Sequence, residues 1–204
     1  MICSYTELKN LIYNSGIGSN IDVGICEEIS EAVAKLELYG LNASAEIYRC
    51  FKNLSFKKNN IKIIDKSIQF GKGMVIFEGI SGLDYFRTNL YDEIIFEELD
   101  SPLILIGLGL INNVENFKVL NSTSLIGYVD KKKFFWNENF TGNNVKISIK
   151  KEKFKIQQFN SVKSKIKIDK NVWKNLELLS RKILVPESTL SRDFGAGANI
   201  NDND

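Results

Sequence analysis

The sequence predicts a single α+β domain over residues 1–204: N-terminal helices, a mostly antiparallel sheet, and a C-terminal helix with a tail folded back near the N-terminal helices. Apolar residues recur at helical spacing as far as Leu54 and again from Val172, and the stretch between them is broken into short Ile-, Val- and Phe-rich runs separated by turn residues. With 204 residues, 44% of them hydrophobic and 25% charged, the chain is long enough to bury a sizeable core.

The first helix starts at Ser4, a candidate N-cap with Glu7 placed for a capping box, and Leu8, Leu11 and Ile12 follow on one face. It should stop near Gly16 and Gly18. A second helix is predicted from about Asp22 to Tyr39, with Ile25, Ile29, Ala32, Val33 and Leu36 inward and Glu27, Glu28, Glu31 and Lys35 outward. Gly40 ends it. Ala45 to Phe51 forms a third helix with Ile47, Cys50, Phe51 and Leu54 as its stripe. The Gly16, Gly18 and Gly24 spacing fits neither a dinucleotide fingerprint nor a P-loop, and no strand precedes it, so a helix-to-helix turn is expected there.

From Asn60 the pattern becomes strand-like. Strands are expected at Ile61–Ile64, Ser67–Phe70, Met74–Phe77 and Glu93–Phe96, with Gly71-Lys72-Gly73 as a hairpin turn. The acid-rich stretch from Asp84 to Asp100 is expected to be a solvated face. Ser101-Pro102 then opens the apolar run Leu103–Ile111, whose two glycines and nine-residue length fit a buried helix with proline in its first turn or a buried strand, helix being preferred, and which is too short for the ~20 residues of a membrane span. A meander follows, with strands at Phe117–Leu120, Leu125–Val129, Lys133–Trp136, Val145–Ile149 and Phe154–Phe159, and a turn at Thr141–Asn144. The final helix starts at Asp169, turns Val172, Leu176 and Leu179 inward, and ends before Pro186.

Composition removes several chemistries. The chain has no histidine, which excludes Ser-His-Asp and Cys-His catalysis and His-based zinc sites within one chain. Cys3, Cys26 and Cys50 are three, far apart and without a Cys-x-x-Cys pair, which points to a reducing cytoplasm and to buried packing roles; Cys26 is the weak candidate nucleophile. Met1–Glu7 lacks a basic region followed by an apolar core, so no secretory signal and no membrane partner are expected.

The net charge of +2 is small, but Lys131 to Lys167 holds eleven lysines against Glu138 and Glu152. With Phe134, Phe135, Trp136 and Phe159 nearby, a single-stranded nucleic-acid surface is conceivable. All these cations are Lys rather than Arg, and they alternate as solvent-side residues do, so nucleic acid ranks last among the partners considered.

The tail from Pro186 to Asp204 concentrates the remaining polar chemistry. Asp193, Asp202, Asp204 and the terminal carboxylate alternate with Asn199, Asn201 and Asn203, an oxygen-rich set that suits a hard cation or a docking surface, and Gly195-Ala196-Gly197-Ala198 permits close backbone approach. Trp173, Leu176, Leu179, Val185-Pro186, Ser191-Arg192, Gly195 to Ala198 and Asp202-Asn203-Asp204 together resemble the C-terminal signature of a family of uncharacterised bacterial proteins of about this length. The N-terminal part of that family is similar to Gly16 to Gly40, including Glu27-Glu28, Leu36 and Gly40. The family carries no assigned activity. Leu184, Glu187, Thr189 and Asn199 depart from its pattern, and Thr189 stands where the pattern has Glu. The resemblance implies that the tail is a specified feature rather than a frayed end.

The leading expectation is a cytoplasmic small-molecule enzyme or enzyme subunit acting on an anionic metabolite, with its site between the Gly16 to Glu28 region and the tail. Arg192 would hold the anion through its planar fork, aided by Ser188, Ser191, Gly195, Gly197 and Asn201. Glu27, Glu28 and Asp202 are the acid/base candidates, and Asp202 and Asp204 the metal candidates. No cofactor is named by the sequence. The alternatives are a non-catalytic assembly protein whose tail docks on a partner subunit in a homo-oligomer, and a single-stranded nucleic-acid binder through the Lys-rich strands.

Overall fold

The structure, a computed structural model, describes residues 1–55, 60–156, 158–163 and 165–183. The α+β prediction holds: among the described residues, six α-helices and a largely antiparallel seven-stranded sheet enclose one buried cluster that draws on every layer. The order is β1 (Ile2–Cys3), α1 (Tyr5–Ile17), α2 (Val23–Leu38), α3 (Ala43–Lys52), β2 (Ile61–Ile64), β3 (Ser67–Gly73), α4 (Ile80–Arg87), β4 (Glu93–Leu99), α5 (Pro102–Ile111), β5 (Phe117–Asn121), β6 (Ser124–Asp130), β7 (Lys133–Trp136), β8 (Val145–Lys151), β9 (Ile166–Lys167) and α6 (Lys170–Ser180).

Helix α1 opens on the expected capping box: Glu7 N donates to Ser4 Oγ, and Ser4 N donates to the Glu7 carboxylate at 2.7 Å. Helix α6 is capped by Asp169, whose side chain accepts from Asn171 N and Val172 N. It lies on α1, where Ser15 Oγ donates to the Leu176 carbonyl and Leu176 is fully buried. The central element is α5. Residues 102–110 are all buried, because this helix is covered by the sheet on one side and by α2 and α3 on the other. Small residues permit that double contact: Gly107 meets Leu36 and Ala32 of α2, and Gly109 meets Phe117 of β5.

The sheet order is β2-β3-β4-β8-β5-β6-β7. Three sequence-based expectations change here. Met74–Phe77 is not a strand: residues Val75–Gly79 form a π-helical turn that runs into α4. The reason is topological, since β3 and β4 are parallel and need a crossover helix between them. Gly71-Lys72-Gly73 is correspondingly no hairpin turn but the end of β3, with Lys72 opposite Glu98 and Gly73 opposite Leu99. The meander is limited to β5, β6 and β7; β8 crosses back to pair with both β5 and β4. Both edges of β8 are occupied, by β4 and β5, and residues 152–156 and 158–160 are irregular rather than a strand. Asn160 instead closes the β7 edge, its N–H donating to the Phe134 carbonyl and its Oδ1 accepting from Trp136 N.

The open sheet face carries cross-strand charge pairs. Lys150 meets Glu93 and Lys146 meets Glu97. The acid-rich stretch thus supplies partners for part of the Lys-rich one. Among the described residues no helix is long and apolar enough to cross a membrane.

Candidate functional site

Of the residues singled out in the sequence, Glu27 and Glu28 are described: both are exposed on α2 and form no ion pair there among the described residues. Ser188, Ser191, Arg192, Gly195, Gly197, Asn201, Asp202 and Asp204 lie outside the described residues. The described chain ends at Ile183 in a 3-10 turn packed against α1, close to the Gly16 to Gly18 turn, where Gly18 abuts the Leu179 carbonyl. Gly16 serves packing, since a Cβ there would lie 2.6 Å from Cys26 Sγ. Burial pushes the Cys26 thiol up to about 11 and the Cys50 thiol well above its ordinary value, so both stay protonated at neutral pH and neither is an activated nucleophile. Among the described residues no cluster of three or more Cys, Asp or Glu could hold a metal ion.

A different constellation forms where α3, the first turn of α5 and the connection between β7 and β8 meet. They enclose a cavity of about 400 Å³ with Glu46, Leu103, Trp136, Glu138, Phe140 and Asn143 in its wall, within the size range of small-molecule sites. Each wall has a local cause. Glu46 and Arg49 lie three residues apart on the polar face of α3, whose other face buries Ile47, Cys50 and Phe51. Trp136 is the last residue of β7, 7% exposed, and packs edge-on to Phe140 with centroids 5.8 Å apart. The Phe140 ring turns back over Gly142, where a Cβ would lie 2.7 Å from its Cζ, so glycine is required for that ring position.

Arg49 organises the polar side. Its Nη2 donates to Glu46 Oε2 at 2.6 Å, to Asn143 Oδ1 at 2.9 Å and to the Asp100 carbonyl, tying α3 to the β7–β8 connection and to the start of α5. Ser101 Oγ, fully buried, donates to the same Glu46 Oε2 at 3.2 Å. Both bonds fall on Oε2, so Glu46 Oε1 keeps its acceptor capacity at the cavity wall. Behind it, Asp100 Oδ1 accepts from Val75 N at 2.8 Å, and burial pushes its carboxyl above the usual range. Among the described residues, the charged ones of the wall are Glu46 and Glu138, both acidic.

Sequence reasoning passed over this cluster because its members lie far apart in the chain, on α3, after β4 and after β7. One signal was present: Arg49 is one of only four arginines against twenty-three lysines, and a planar fork chosen amid lysines marks a position that needs several directed hydrogen bonds. No protein-family model, curated protein or solved structure matches the chain.

Proposed function

We propose that the protein binds a small molecule bearing a cationic amine in the cavity between α3, α5 and the β7–β8 connection. The observation that carries this reading is Glu46, held by Arg49 and Ser101 through Oε2 while Oε1 stays unpartnered among the described residues at a wall whose charged groups are acidic. An ammonium group donating to Oε1 would make a charge-assisted bond in a partly desolvated setting, and Trp136, Phe140 and Leu103 would cover an aliphatic stem. Isothermal titration with pentylamine tests it. Binding at millimolar ligand should weaken about tenfold in Glu46→Gln, and Thr141→Trp, which places bulk on the exposed wall without touching Glu46, should abolish it. Equal affinity in wild type and both variants would overturn the reading.

A second reading keeps the site expected from the sequence, an anion held by Arg192 in an enzyme or enzyme subunit. It is favoured by the exit of α6 beside α1 and the Gly16 to Gly18 turn. Arg192→Ala should then lose the stabilisation given by anionic metabolites in a thermal-shift screen, and retention of it would exclude that site.

A further inference from the structure

We infer that the ligand is an extended zwitterion, its amine at Glu46 and a carboxylate at Lys163. This rests on the amine reading above and deepens it.

A second cavity of about 380 Å³ adjoins the first, bounded by the end of β7 and by residues 158–163. The two share Trp136 and Glu138 as a common wall, so a linear molecule lying past Trp136 would occupy both. The second cavity differs in chemistry. Asn137, Asn139, Gln158 and Asn160 line it with amides, and among the described residues Lys163 is the cation that lines it.

Lys163 is exposed, but its backbone and stem are held in place. Its N–H donates to the Leu38 carbonyl at 2.7 Å, fixing the backbone at the end of α2. Its aliphatic stem lies across Gly40, where φ is +76° and the Lys163 Cγ is 3.0 Å from the position of a Cβ. A side chain at residue 40 would therefore be strained by the backbone and would also displace that stem. Gly40 itself lines the first cavity, so the lysine stem sits on the partition between the two. Among the described residues Lys163 has no ion pair, in contrast to Lys146 and Lys150 on the sheet.

An unpartnered carboxylate oxygen in one cavity and an unpartnered ammonium in the next are matched by a ligand with the opposite charges at its two ends. One lysine supplies one positive charge, which suits a singly charged carboxylate better than a dianionic phosphate. The amides between them can donate to and accept from a polar linker.

The test is calorimetric titration of the full chain with unbranched ω-amino acids of increasing length, each beside the alkylamine of equal length. One length should bind about threefold to fivefold more tightly than its alkylamine, the gain expected of a solvent-exposed ion pair. Lys163→Met should remove that gain and leave alkylamine affinity unchanged. If alkylamines bind and no length gains from the carboxylate, or if Lys163→Met keeps the gain, the zwitterion is wrong while the Glu46 site stands. If neither series binds, both readings fall.

Discussion

Ionising Glu37 should cost the fold about 3 kcal/mol, and substituting it by glutamine should remove that cost. Glu37 lies at the end of α2, is 3% exposed, and accepts from Ser44 N at 2.7 Å in the first turn of α3. Burial pushes its carboxyl from 4.5 up to about 7, against the opposing pull of the Ser44 and Ala43 donors. Between those two values the folded protein holds a proton that the unfolded chain has released. Stability from this group is therefore complete below about pH 4.5 and is lost as the pH rises through about 7. At about 1.4 kcal/mol per pH unit, the interval corresponds to about 3 kcal/mol. Glu37→Gln keeps an oxygen for Ser44 N and cannot ionise. Urea unfolding of both proteins, followed by circular dichroism from about pH 4 to pH 8, isolates the effect, since Asp100 and the other titrating groups are common to both. The variant should gain on wild type by about 3 kcal/mol across that range. A difference that stays constant with pH, or shrinks as pH rises, would refute the argument.

Other perturbations follow from the same contacts. Arg49→Met leaves the Asp100 carbonyl and Asn143 Oδ1 without this donor and Glu46 without its cation, and should lower stability by about 2 kcal/mol; adding Glu46→Gln should recover part of the loss in a double-mutant cycle. Gly18→Ala would place a Cβ 2.0 Å from the Leu179 carbonyl and should cost about 1 to 3 kcal/mol by forcing α6 from α1. Gly24→Ala, in α2 with nothing within 4 Å, should stabilise by up to about 1 kcal/mol, and calorimetric melting of the pair separates close packing from a general intolerance of side chains.

Local signals and long-range ones differed in how far they could be read. Ser4 with Glu7, Asp169 and the stripes of α1, α2 and α6 are set by neighbours a few residues away, so spacing alone locates them, whereas the nine-residue apolar run after Pro102 has no period that separates helix from strand. Residues 74–77 look like a strand in sequence because a four-residue apolar run has no period, and the parallel pairing of β3 with β4 decides for helix. Residues 154–159 alternate in sequence as strands do, yet β8 is flanked by β4 and β5, and the β7 edge is met by single bonds from Asn160 instead. The cavity was illegible for a related reason. Glu46 and Arg49 look like an ordinary helix-surface pair until α5 and Asn143 close over them, Trp136 reaches the same cavity from the end of β7, and Lys163 is placed in the adjoining one by the end of α2.

The most direct measurement is a crystal structure of the protein soaked with pentylamine. The ligand nitrogen should lie within about 2.7–2.9 Å of Glu46 Oε1, with its carbon chain passing between Trp136 and Leu103. Ligand bound elsewhere, or seated in this cavity with its nitrogen turned away from Glu46, would contradict it.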